Sequence, residues 1–130
     1  MDRQPSVADL RPLVDQPTVR LTTFRRDGTP VATPVNLVVD GKHAYFRTWD
    51  TSGKAKRLHR DRNVEIAPCT FLGRPTGPAI TARARRIDGA TAERARRLIE
   101  GKHRILQGLL VHHGHRLTGR RAIYYEVIPV

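Results

Sequence analysis

Residues 18–40 read TVRLTTFRRDGTPVATPVNLVVD, two runs rich in Val, Thr and Leu that meet at Asp27-Gly28. An Asp-Gly pair between extended runs predicts a tight hairpin, because glycine takes a positive φ with no Cβ to clash. Val31, Val35, Leu37 and Val39 mostly alternate with polar or small neighbours, as in a strand with one buried face. Pro30 and Pro34 lack amide donors, which predicts an edge or bulged strand there.

Working outward, Asp40-Gly41-Lys42 reads as a second turn and HAYFRTW (43–49) as an aromatic third strand. The period changes at Ser52, where Ala55, Leu58 and His59 share one helical face among basic residues. NVEIAPCTF (63–71) and AITARARRID (79–88) read as two further strands on either side of the loop GRPTGP (73–78). Thr91 to about His113 predicts the longest helix, with Ala95, Leu98, Ile99, Leu106, Leu109 and Leu110 on its stripe. AIYYEVIPV (122–130) is the sixth strand. Upstream, Ser6-Val7-Ala8-Asp9 has the spacing of a helix N-cap and predicts a short helix to Leu13 or Val14. The expectation is a mainly β fold: a six-stranded antiparallel barrel, closed or half-closed, with helical decoration. Without helices between the first three strands, a doubly wound parallel sheet is the weaker reading.

The 130 residues suit one domain spanning 1–130, and 28% charged with 38% hydrophobic residues suits a folded chain. No apolar run approaches the roughly 20 residues of a membrane span. MDRQPSVADL carries no signal-peptide pattern, and the single Cys69 cannot close an internal disulfide, so a cytoplasmic protein is expected. The net charge is +12, and 20 of the 24 basic residues are arginine. Such an excess fits a polyanionic partner or, equally, a solvated basic surface.

The stretch TWDTSGKAKRLHR (48–60) carries the chemistry. Its Ser-x-Lys follows a strand and opens a predicted helix, where free N–H groups and the helix dipole favour an anion. Ser52 and Lys54 add a hydroxyl and an ammonium; Lys56, Arg57 and Arg60 follow within two turns, Arg57 one turn from Lys54. The competing reading is a basic amphipathic helix whose charges face water.

These residues, in their order, resemble the pyridoxamine phosphate oxidase-like flavin-binding split barrels. Within them the chain is most similar to the deazaflavin-dependent (coenzyme F-420) oxidoreductases. The resemblance runs through Leu21-Thr22-Thr23-Phe24, Asp27-Gly28-Thr29-Pro30, Thr33-Pro34-Val35 and Phe46-Arg47-Thr48. It continues through Ser52-Gly53-Lys54-Ala55, Arg57-Leu58 and Val64-Glu65-Ile66-Ala67-Pro68-Cys69. It implies an FMN-binding type of split barrel with the cofactor in a groove between two subunits of a homodimer. On this resemblance Thr48, Ser52, Lys54 and Arg57 bind the phosphate and adjoining polar tail, with Lys56 and Arg60 as further tail contacts. Val35 and Asn36 line the ring, and Pro68 and Cys69 flank it. The chain departs from relatives at Asn36, where they often carry a bulky aromatic, and at Asp61-Arg62-Asn63, before the fourth strand.

The implied activity is transfer of a hydride between the reduced deazaflavin and a small unsaturated or quinone-like substrate. The alternatives are an FMN oxidase or reductase of the same fold, a cofactor carrier, or a nucleic-acid-binding protein. Seven aromatics, not interleaved with the basic residues, argue against the last. A proton donor could be water, Tyr45, Tyr124 or a histidine. His112-His113-Gly114-His115 lacks a nearby carboxylate or cysteine and reads as a solvated helix end, so no metal site is expected. Cys69 reads as a small buried hydrophobe.

Overall fold

The structure, a computed structural model, describes residues 7–70, 72–107 and 121–130. Seven strands form one antiparallel sheet: β1 (Val19–Phe24), β2 (Pro30–Val35), β3 (Leu37–Asp40), β4 (His43–Trp49), β5 (Asn63–Pro68), β6 (Ile80–Ile87) and β7 (Ala122–Pro129). Among the described residues two α-helices, α1 (Gly53–Arg60) and α2 (Gly89–Gln107), and an N-terminal 3-10 helix (Val7–Leu13) accompany it.

The hydrogen-bonded order is β2-β1-β5-β6-β7-β4-β3. The mainly β antiparallel barrel is as expected, but with seven strands rather than six. The run predicted as one strand over 29–40 divides at Asn36: Pro30–Val35 pairs with β1, and Leu37–Asp40 pairs with β4. One residue therefore joins the two ends of the sheet, which must curl to bring them together. Pro30 and Pro34 sit on the edge strand β2, where a missing amide donor costs no ladder bond. The β1–β2 hairpin turns at Asp27-Gly28, with Gly28 at φ 90 and Arg25 N–H donating to Thr29 O at 2.9 Å.

Alternation sorts the side chains. Val19, Leu21, Val35, Leu37, Ala44, Phe46, Val64, Ile66, Ala82, Ala84, Tyr125 and Val127 build the inner core. Phe46 stacks on Tyr125 with centroids 5.0 Å apart. Leu10 and Leu13 of the 3-10 helix, and Ala55 and Leu58 of α1, enter the same core. Burying each such Leu or Phe stabilises by about 1.5–3 kcal/mol. On the outer face, Ala95 and Ile99 of α2 cover Val38, Tyr45 and Ile87, with Leu98 and Tyr124 packed alongside.

The N-terminal segment is a 3-10 helix, with Pro12 inside it. Pro12 lacks the N–H that would continue an α ladder. Its predicted cap, Ser6, lies outside the described residues. So does the expected end of the long helix, including Leu109, Leu110 and His112-His113-Gly114-His115; α2 begins at Gly89, two residues before the predicted Thr91.

Candidate phosphate and cofactor site

β4 ends at Trp49, and the chain turns through Asp50 and Thr51, with Ser52 N–H donating to Trp49 O at 3.0 Å. Ser52 is the N-cap of α1: its backbone is extended (φ −76, ψ 156) and its Oγ accepts from Ala55 N at 3.0 Å. That bond satisfies one of the amides a helix start leaves free. The apolar pair Ala55 and Leu58, three residues apart, turns one face of α1 into the barrel. The adjoining face then carries Lys54 and Arg57 against the sheet.

Three polar bonds tie α1 to three strands. Ser52 Oγ meets Thr48 Oγ1 of β4 at 3.0 Å. Lys54 Nζ donates to Thr33 Oγ1 of β2 at 3.0 Å, and Arg57 Nε donates to Thr23 Oγ1 of β1 at 2.6 Å. Asn36 lies between β2 and β3, and β3 pairs with β4, so α1 bonds to strands from both ends of the sheet. Arg57 also folds back over the first turn of its own helix: a Cβ on Gly53 would lie 2.8 Å from Arg57 Nη1.

The electrostatics are one-sided. Burial, and then repulsion from Arg57, lower the pKa of Lys54. Burial again comes first for Arg57, followed by Arg25 and Arg60. Among the described ion pairs none involves Lys54, Lys56, Arg57 or Arg60. Partly buried cations held by neutral hydroxyls are a suitable receptor for an anion. Lys56 and Arg60 point to solvent on the same helix.

The predicted residues Thr48, Ser52, Lys54 and Arg57 thus come together. Val35 is buried, two positions along β2 from Thr33, and Asn36 is half-buried at the junction. Pro68 pairs with Val19, which pairs on its other side with Val35, so these three form one row across the sheet. Cys69 lies beyond that row: its N–H donates to Gln16 Oε1 at 3.3 Å and its Sγ to Thr18 O at 3.7 Å. Burial pushes the Cys69 thiol up, as suits a packed side chain. Pro68 also lines an open cavity of about 600 Å³ with Pro12, Gly77 and Ile80, and no residue of the α1 cluster reaches it.

Neither tyrosine considered as a proton donor is bonded to the cluster. Tyr45 lies under α2 and stacks on His43, with centroids 6.2 Å apart. Tyr124 Oη accepts from Arg47 Nη1 at 3.4 Å. No metal-ligating group of His, Cys, Asp and Glu occurs among the described residues. Sequence reasoning missed Thr23, Thr33 and Gly53. The signal for the threonines was present: hydroxyls occupy inward positions in the rows Leu21-Thr23 and Val31-Thr33-Val35.

A curled antiparallel sheet split at one residue, with a basic helix across the split, defines a split-barrel protein of the flavin-binding type. The family model described as pyridoxamine 5'-phosphate oxidase matches residues 7–126, and the chain belongs to that family. No curated protein sequence matches the chain. Among solved structures, an F-420 reductase is 17% identical, with 99% of this chain and 96% of that one covered and a TM-score of 0.59. The heme storage protein HutZ from Vibrio cholerae is 16% identical, covering 100% and 92%, at a TM-score of 0.64. A conserved hypothetical protein from Mycobacterium tuberculosis is 17% identical, covering 98% and 82%, at 0.67. At these identities the likeness is one of fold.

Proposed function

We propose that this protein is a deazaflavin (coenzyme F-420)-dependent oxidoreductase, acting on a small unsaturated or quinone-like substrate as a cytoplasmic homodimer. One observation carries the reading: Lys54 and Arg57 are partly buried at the turn that Ser52 caps, bonded to the hydroxyls of Thr33 and Thr23, and among the described ion pairs no carboxylate neutralises them. The fold of an F-420 reductase lends support.

Ser52, Lys54 and Arg57 would hold the phosphate, and the exposed Lys56 and Arg60 would meet an acidic tail. Val35 and Asn36 would line the ring from the split, with Pro68 and Cys69 on its flank. The bound cofactor supplies the hydride chemistry. The protein's part is to anchor the polar end, fix the ring against the strand junction and exclude water from it. Among the described residues no helix is long and apolar enough to cross a membrane.

FMN is the second reading, because the same cations suit its phosphate and the family binds flavins. Parallel titrations with F-420, FMN and hemin decide among them. Tightest binding of F-420, with turnover of a quinone acceptor, is the expected result; hemin alone binding would overturn the reading.

A further inference from the structure

Arg57 is held by one neutral hydroxyl and packs close to a residue without a side chain. Its Nε donates to Thr23 Oγ1 at 2.6 Å, and Thr23 is completely buried on the inner face of β1. Its Nη1 lies so close to the helix start that a Cβ on Gly53 would come within 2.8 Å of it. A guanidinium has five N–H donors in a rigid plane. Spending Nε on Thr23 fixes that plane and leaves the two Nη groups at the N-terminal turn of α1. The Ser52 hydroxyl caps the same turn, and Lys54 projects from it.

We propose that Thr23 and Gly53 are positioning residues for phosphate recognition: Thr23 sets the direction of the Arg57 guanidinium, and Gly53 leaves the space it needs. This rests on the phosphate-cofactor reading above. Without Thr23 the arginine keeps its charge and loses its fixed orientation. With a side chain at position 53, its Nη1 is displaced from the helix start. Gly53 is exposed and does not have a positive φ, so alanine there strains no backbone. The three atoms nearest to such a Cβ all belong to the Arg57 guanidinium.

The test is calorimetric, on the full chain and the variants Thr23→Val, Thr23→Ser and Gly53→Ala. The probes are inorganic pyrophosphate, F-420 and the phosphate-free deazaflavin riboside. Thr23→Val and Gly53→Ala are expected to weaken pyrophosphate and F-420 at least tenfold while the riboside changes less than twofold. Thr23→Ser, which keeps the hydroxyl, stays within threefold of the parent. Equal losses for phosphate-bearing and phosphate-free ligands, or no loss, overturn the proposal. If Thr23→Val does not fold, Gly53→Ala alone decides it. A parent protein that binds pyrophosphate but neither F-420 nor the riboside sinks the deazaflavin reading and leaves the positioning roles to be judged on pyrophosphate. Binding of none of the probes overturns both.

Discussion

Val35 and Leu37 stand two positions apart in the chain yet occupy opposite edges of the hydrogen-bonded order β2-β1-β5-β6-β7-β4-β3. Both are buried in the same inner core. Asn36 between them lets one strand leave β1 and the next join β4 while inward alternation is preserved. This covalent step joins the two unpaired edges of the curled sheet, and α1 bonds to β2 at one end and to β4, the neighbour of β3, at the other. Deleting Asn36 should invert the facing of β3 relative to β2 and abolish cooperative unfolding, because a one-residue slip sends core side chains outward. Asn36→Ala keeps the count and should retain a cooperative melt. Thermal denaturation followed by circular dichroism checks both.

Lys54→Ala should weaken F-420 binding at least tenfold, about 1.4 kcal/mol, through loss of a charge-assisted phosphate contact. Fluorescence titration measures it. An unchanged affinity removes Lys54 from the site.

The same lysine predicts two opposite pH slopes. Burial and Arg57 lower its pKa from the ordinary 10.5. An anion needs the protonated form, so affinity should be full near neutrality and fall as pH rises through the lowered value. Without ligand the sign reverses: between the lowered value and 10.5 the unfolded chain holds more protons at this site, so its contribution to stability rises with pH. Lys54→Met should remove both slopes, measured by titration and by chemical denaturation between pH 7 and about 10.5.

Glu126 is buried on the outer face between two half-exposed partners, His43 Nδ1 at 2.5 Å and Arg85 Nη2 at 2.5 Å. Desolvation pushes its carboxyl up, but the Arg85 and His43 hydrogen bonds outweigh this and hold it below 4.5. The stability it contributes is present above the ordinary carboxylate range and lost as pH falls through the depressed value. Glu126→Gln should cost about 1–3 kcal/mol at pH 7 and flatten the acid limb of the stability curve. Urea denaturation at a series of pH values tests this.

Phe46 is fully buried and stacked on Tyr125. Phe46→Ala should destabilise by about 3–5 kcal/mol, since the rigid barrel wall cannot collapse into the space. A smaller loss would mean that the inner core repacks.

Residues 18–40 made the hairpin legible because Asp27-Gly28 is a local signal that no distant contact has to supply. The same locality made Ser52 readable as a cap and α1 as a basic helix against an apolar pair. The seventh strand was not legible. Val35, Asn36 and Leu37 keep one alternating pattern, and nothing local says that pairing changes partner between them. The inward placement of Thr23 and Thr33 was legible but their partners were not, for a similar reason: they meet Arg57 and Lys54 across 34 and 21 residues. Only the curled sheet sets that distance.

By itself, then, the sequence determined the periodic elements, the turns, the family pattern and the presence of a cationic helix, all consequences of short-range sterics and spacing. Tertiary structure alone decided that one residue joins the two sheet edges, that α1 bonds to strands from both ends of the sheet, and that Lys54 and Arg57 rest on threonine hydroxyls of β2 and β1 while Lys56 and Arg60 face water. Those outcomes depend on which strands pair over long separations, and pairing is settled by burial of the whole inner face at once.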